Sequence, residues 1–256
     1  EEGDSYFGES LCPLAVTGGI ACGKTTVVDV LKKPKQEEGD SYFVDADTIA
    51  HQILLKGAPD SVYDKIVEEF GTEVLQDGDS REIDRLKLGA IVFDNKAKRR
   101  ALNGITHPRI LYIMLKRLFW GIFCSSEDMV MADVPLLFES GKLRFLFALV
   151  IVVSTSKELQ LERLMLRNPE LSKEQAQQRI DSQLPLEQKE KLGDIVIRNE
   201  GMNLDELEDH VKKVRQDCMN RLYGFGLSLL QLILIIGGSV PVAVMSKLYA
   251  LKAAKH

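Results

Sequence analysis

The chain has 256 residues, 45 % of them hydrophobic and 28 % charged, with a formal net charge of −5. This is the composition of a folded chain with a sizeable core, which excludes a disordered body. The acidic balance argues against a nucleic-acid coat, and no nucleic-acid partner is expected. It leaves room for a nucleotide substrate, because a phosphate pocket needs only a local positive field. The four cysteines, Cys12, Cys22, Cys124 and Cys218, form no C-x-x-C pair and stand at no zinc spacing. They read as scattered reduced thiols.

The first residues carry neither an apolar signal core nor an Arg-rich amphipathic stretch, so residues 1–13 read as an extension without a targeting signal. The heptapeptide Glu-Glu-Gly-Asp-Ser-Tyr-Phe occurs twice, at 1–7 and 37–43, and is too short to be a solenoid repeat. Apolar runs bounded by turn residues predict strands at 14–17, 42–45, 129–133, 148–154 and 195–197. Helical spacing predicts helices at 24–33, stopped by Pro34, then at 61–70, 84–93, 95–105, 108–119 and 157–167. Two more are expected at 173–184, stopped by Pro185, and at 205–223. Strands alternating with helices predict an α/β fold with a parallel five-stranded sheet covered on both faces. The helical stretch at about 49–120 interrupts that alternation and reads as an insertion.

The end of the chain differs. Residues 222–246 contain no charge, and 227–236 are nearly all aliphatic. Such a run is long enough to cross a bilayer, which takes about 20 apolar residues. It predicts a membrane anchor at 222–246 with a short basic tail at 247–256. The topology expected is a tail anchor in an intracellular membrane, with the body facing the cytosol; a buried helix broken at Gly237 and Gly238 is the alternative.

The strongest chemical signal is Gly18-Gly19-Ile20-Ala21-Cys22-Gly23-Lys24-Thr25, a full match to G-x-x-x-x-G-K-[ST] between a strand and a helix. Glycines let backbone N–H groups converge on phosphates, and the helix N-terminus adds partial positive charge. This makes Gly18, Gly19, Ala21, Cys22, Gly23, Lys24, Thr25 and Thr26 the candidate ATP-binding residues. Lys24 would reach the β- and γ-phosphates and Thr25 would ligate Mg²⁺. Asp133 ends the third strand and can hold Mg²⁺ through water or simply form a turn. At the end of the second strand, Asp45 and Asp47 stand two apart, where strand carboxyl ends line the crevice of open α/β sheets. One can serve as base and the other as helix cap, or both can be caps; the pattern alone does not choose.

Taken together, the phosphate loop, Asp45-Ala46-Asp47-x-Ile49-Ala50, Ile83-Asp84-Arg85, Thr106-His107-Pro108 and Val134-Pro135-Leu136-Leu137-Phe138-Glu139 resemble the dephospho-coenzyme A kinase family. Gln160 to Arg167, Arg179-Ile180-x-x-Gln183 and Asp194 to Asn199 extend the likeness over about 14–199. The resemblance implies a kinase domain over 14–204, with a substrate-side helical insertion and a lid at about 155–190, followed by a helix at 205–221. It implies transfer of the ATP γ-phosphoryl group to the 3′-hydroxyl of dephospho-CoA, and makes Asp47 the base. Ala21 and Cys22 stand where Gly and Ser are frequent in that family.

Gln160, Arg163 and Arg167 share one helical face, which suits a phosphate clamp centred on Arg163 or a solvated face. The segment 81–117 carries ten Lys or Arg against three Asp or Glu. It offers Arg85, His107 and Arg109 for substrate anions, although a charge run is more commonly a solvated face. Two other functions remain open: a kinase for another nucleoside or nucleotide, and a membrane-tethered nucleotide-binding scaffold without turnover.

Overall fold

The computed structural model describes residues 13–32, 41–78, 81–93, 95–125, 129–139 and 143–224. Two compact units divide these residues: one holds the flanking segments up to Val44 and from Leu118 onward, the other Asp45–Arg117. The second unit opens and closes a few residues before the 49–120 expected of the insertion.

The first unit is built on a sheet of β1 (Leu14–Gly18), β2 (Ser41–Asp45), β3 (Met129–Asp133), β4 (Leu149–Ser154) and β5 (Ile195–Arg198). Their spatial order is β2-β3-β1-β4-β5. β1 runs parallel to β3 and β4, and β4 parallel to β5. Every residue of β1, β3 and β4 is buried. A strand covered on both faces can be apolar continuously, which is why these three strands are unbroken apolar runs in the sequence.

Helix α1 (Lys24–Lys32) leaves the phosphate loop and buries Val27, Val28, Val30 and Leu31. The C-terminal helix α9 (Leu204–Gly224) joins the same core through Leu207, Val211, Cys218, Met219 and Leu222. With the partly buried Val214, the positions 207, 211, 214, 218 and 222 recur every three to four residues, the spacing of one helical face. Leu222 is only 2 % exposed and belongs to this core. The anchor therefore cannot begin at 222: Leu222 to Gly224 complete α9, and the rest of the apolar run lies outside the described residues. No described helix is long and apolar enough to cross a membrane.

Helices α6 (Lys157–Arg167), α7 (Lys173–Asp181) and α8 (Leu186–Leu192) lie between β4 and β5. A reciprocal capping box starts α7: Ser172 accepts from the Gln175 N–H, and Gln175 accepts from the Ser172 N–H. α7 ends at Asp181 rather than 184, and α8 was not expected from sequence. Leu-Glu-Gln-Lys-Glu-Lys-Leu lacks an apolar stripe, because one of its two buried positions is a lysine, Lys189.

The second unit contains α2 (Ala46–Gln52), α3 (Tyr63–Phe70), α4 (Arg85–Phe93) and most of α5 (Lys96–Cys124). Ile49, Ile53, Ile66, Phe70 and Val74 are buried there. It is not wholly helical, since Leu75 and Ile83 form an isolated antiparallel bridge. The expected break before Pro108 is also absent, and α5 runs through it. An interior proline removes one hydrogen bond and costs about 3 kcal/mol. Burial of Ile113, Met114, Leu118 and Ile122 further along the same helix offsets that cost.

Candidate active site

The phosphate loop begins where β1 ends. A Cβ on Gly18 would stand 2.5 Å from the Val153 carbonyl oxygen, so the strand pairing leaves no room for a side chain there. At Gly23 the backbone is left-handed, φ 80°, and a Cβ would stand 2.1 Å from the Asn199 side-chain nitrogen. Ala21 adopts φ 59° despite its side chain. A left-handed L-residue costs roughly 1–2 kcal/mol, so glycine would suit this position better.

Side chains from other elements hold the loop's carbonyls. Lys189 Nζ donates to the Gly18 carbonyl (3.1 Å), Gln160 Nε2 to that of Ile20 (2.7 Å) and Asn199 Nδ2 to that of Cys22 (3.0 Å). The Ile20 N–H donates to Gln183 Oε1 (2.9 Å). In a trans peptide the N–H points opposite the C=O. These three contacts therefore turn the N–H groups of Gly19, Ala21 and Gly23 away from the donors. Gln160, Gln183 and Asn199 carry part of the resemblance noted in the sequence. Lys189 was missed, and its only signal is that it stands three residues after Leu186, on the same buried helical face.

Lys24 opens α1, and its ammonium sits on the carboxylate of Asp133 at the end of β3, with both carboxylate oxygens accepting. The Thr17 hydroxyl donates to the Pro135 carbonyl (3.1 Å), tying the segment after β3 to the end of β1. Thr25 is exposed on the first turn of α1, and Thr26 half-buried beside it. Arg163, on α6, has its Nη1 3.8 Å from where a Cβ of Gly23 would lie. That nitrogen is buried and without a hydrogen-bond partner among the described residues. Arg167, the last residue of α6, is exposed. Cys22 is fully buried, and burial pushes its thiol up to about 11, against the lowering effect of the Gly19 backbone. The thiol is neutral at physiological pH and fills space behind the loop.

In the second unit the two aspartates differ in placement. Asp45 caps α2, its carboxylate accepting from the Thr48 N–H (3.0 Å) and the Thr48 hydroxyl (2.8 Å). Asp47 lies in the first turn of α2 and is exposed. Arg109 Nε donates to the Asp60 carbonyl (2.8 Å), and its guanidinium pairs with the Asp60 carboxylate. Asp60 is left-handed, φ 67°, so Arg109 holds a strained turn. His107 is exposed within α5 and caps no helix. Arg85 is exposed at the start of α4.

A parallel sheet of order 2-3-1-4-5, a glycine loop from its central strand into a helix, and a lysine beside a strand-end aspartate define a P-loop kinase. The family model described as dephospho-CoA kinase matches residues 12–205. A dephospho-CoA kinase of Bacillus thuringiensis subsp. konkukian is 47 % identical over 188 residues, 73 % of this chain and 88 % of that protein. One of Saccharomyces cerevisiae is 40 % identical over 212 residues, 79 % of this chain and 82 % of that protein. Among solved structures, the Campylobacter jejuni dephospho-CoA kinase superposes with a TM-score of 0.53 at 31 % identity, covering 80 % of this chain and 96 % of that one. A Thermus thermophilus protein gives 0.64 at 25 % identity, covering 80 % and 97 %. The chain belongs to the dephospho-CoA kinase family.

Proposed function

We infer that this chain transfers the γ-phosphoryl group of ATP to the ribose 3′-hydroxyl of dephospho-CoA, giving coenzyme A and ADP. The observation that carries the reading is the phosphate loop with Lys24 poised on Asp133, inside a chain matched to the family over residues 12–205. The acceptor oxygen forms the new P–O bond, the bond from the γ-phosphorus to the β,γ-bridging oxygen breaks, and ADP leaves. Asp47 takes the acceptor proton; its neighbour Asp45 is already committed to Thr48. Lys24 exchanges Asp133 for the β- and γ-phosphates, and Arg163 meets the charge that spreads over the transferred group. Arg85 and His107 are the exposed candidates for the acceptor's anionic groups, whereas Arg109 also has a turn to hold.

Mg²⁺ belongs to the same proposal. Thr25 offers a hydroxyl and Asp133 a carboxylate, the hard oxygen donors Mg²⁺ takes. Among the described residues no cluster of three or more metal-ligating side chains forms an all-protein cage. This suits an ion that arrives with its nucleotide and keeps several waters. When bound it neutralises charge on the phosphate oxygens.

The uncharged run after Gly224 supports a second proposal, a C-terminal anchor in an intracellular membrane with the catalytic body facing the cytosol. Alkaline carbonate extraction tests it: the chain should stay with the membrane pellet, and release into the supernatant would contradict it.

Mass analysis of the product of ATP and dephospho-CoA tests the enzymatic reading. Coenzyme A is expected, and a panel of nucleosides and nucleoside monophosphates should give no phosphorylated product. Turnover of one of these instead would assign another acceptor. ATP binding without any turnover would make the chain a nucleotide-binding scaffold.

A further inference from the structure

Lys189 has no accessible side-chain surface, yet carries an ammonium. Its Nζ meets two partners, the Gly18 carbonyl at 3.1 Å and Glu139 Oε1 at 2.6 Å. The Glu139 carboxylate also accepts the Leu184 N–H at 3.1 Å. The residue before Leu184 is Gln183, which accepts the Ile20 N–H. One network, running from the buried Lys189 to the partly exposed Glu139, thus joins α8, the turn after β3, the α7–α8 connection and both ends of the first loop segment, Gly18 and Ile20.

Burying the Lys189 ammonium, with its partner Glu139 still partly exposed, is an expensive way to stabilise a fold. The cost of desolvating a charge can exceed what its partner returns, and well-packed apolar residues often serve as well or better. What an apolar residue at 189 cannot do is donate to the Gly18 carbonyl. That carbonyl belongs to the peptide whose N–H, on Gly19, is the first in the phosphate loop. With the carbonyl fixed on Lys189, the N–H is directed the other way before any anion arrives, and such preorganisation is what an anion-binding loop requires.

We propose that Lys189, held by Glu139, is a positioning residue that fixes the Gly18–Gly19 peptide of the phosphate loop in its anion-receiving orientation. It acts through Gly18 and does not itself touch the phosphates. The proposal rests on the phosphate-loop reading of Gly18 to Thr25. It is tested by binding rather than turnover, so it stands or falls separately from the identity of the acceptor.

The experiment measures ATP and inorganic tripolyphosphate binding by calorimetry in the full chain, in Glu139→Gln and in the double variant Glu139→Gln/Lys189→Met. The double variant removes both charges together and avoids leaving one buried alone. Its ATP and tripolyphosphate affinities should fall by about 10–100-fold, the equivalent of one charge-assisted hydrogen bond. Dephospho-CoA affinity and the melting temperature without ligand should change little, and Glu139→Gln should lie between. Wild-type tripolyphosphate affinity in the folded double variant would overturn the proposal. So would an equal loss of tripolyphosphate and dephospho-CoA affinity, the mark of a general structural role. If the double variant does not fold, Glu139→Gln decides, and wild-type tripolyphosphate affinity there would overturn it.

Discussion

The Lys24 ammonium and the Asp133 carboxylate hold one another at the carboxyl end of β3, linking the first residue of α1 to the strand beside the phosphate loop. On the proposed reading each takes a second task once nucleotide binds, so their variants should differ. Lys24→Met removes the only side-chain cation of the loop and should lower kcat by about 10²–10³-fold, as loss of a transition-state donor does. Asp133→Asn should keep a folded protein but raise the Mg²⁺ concentration needed for half-maximal rate. A magnesium titration of initial rates separates the two, and an unchanged magnesium dependence in Asp133→Asn would remove Asp133 from the metal site.

Gly23 and Ala21 make opposite predictions on the same loop. Gly23→Ala places a methyl at φ 80° against Asn199, which must then release the Cys22 carbonyl. ATP binding should be lost while the far-ultraviolet circular dichroism is kept. Ala21→Gly relieves a left-handed alanine at φ 59°. Relief of roughly 1–2 kcal/mol set against the roughly 0.4–1 kcal/mol lost to unfolded-chain entropy leaves a net stabilisation of up to about 1.6 kcal/mol, to be read in urea titrations.

The buried thiols give a pH dependence. Burial raises Cys22 from 9.0 to about 11 and Cys218 from 9.0 to about 12. Between these limits the folded chain keeps protons that the unfolded chain has lost, so stability falls as pH rises. The thiols' contribution is complete below about pH 9 and is lost as pH climbs through 11 to 12. Urea midpoints across that range should decline less steeply in Cys218→Ala than in the wild type. At neutral pH neither thiol should react with iodoacetamide until the chain unfolds.

Truncation tests where the folded body ends. A chain stopped after Gly224 keeps Leu222 in the core and should retain activity. One stopped after Arg221 loses it, and removing a buried leucine side chain costs about 2–5 kcal/mol. Thermal melting of the two truncations should differ accordingly, and equal melting temperatures would show that the end of α9 contributes nothing.

Strands β1, β3 and β4 were legible in the sequence because strands buried on both faces of a parallel sheet write themselves as unbroken apolar runs. The phosphate loop was legible because glycine and lysine spacing is dictated by phosphate geometry. Other features were hidden for identifiable reasons. Pro108 looked like a helix break, yet the buried residues that keep α5 continuous come later in the sequence. α8 was invisible because a lysine occupies a core position, and nothing local reveals that its partners are Gly18 and Glu139. The apolar stretch at the end masked the continuation of α9 to Gly224, since Leu222 reads in the sequence like any other member of the uncharged run. That Asp45 is the cap of α2 needed the geometry at Thr48.

ADP release by the full chain with ATP, Mg²⁺ and dephospho-CoA, alongside Asp47→Asn, tests the central claim most directly. The account predicts release that depends on dephospho-CoA and falls by about 10²–10⁴-fold in the variant, the range for loss of a general base, with ATP affinity unchanged. ATP bound with no acceptor-dependent release in the wild type would contradict the reaction, and full activity in Asp47→Asn would contradict the base.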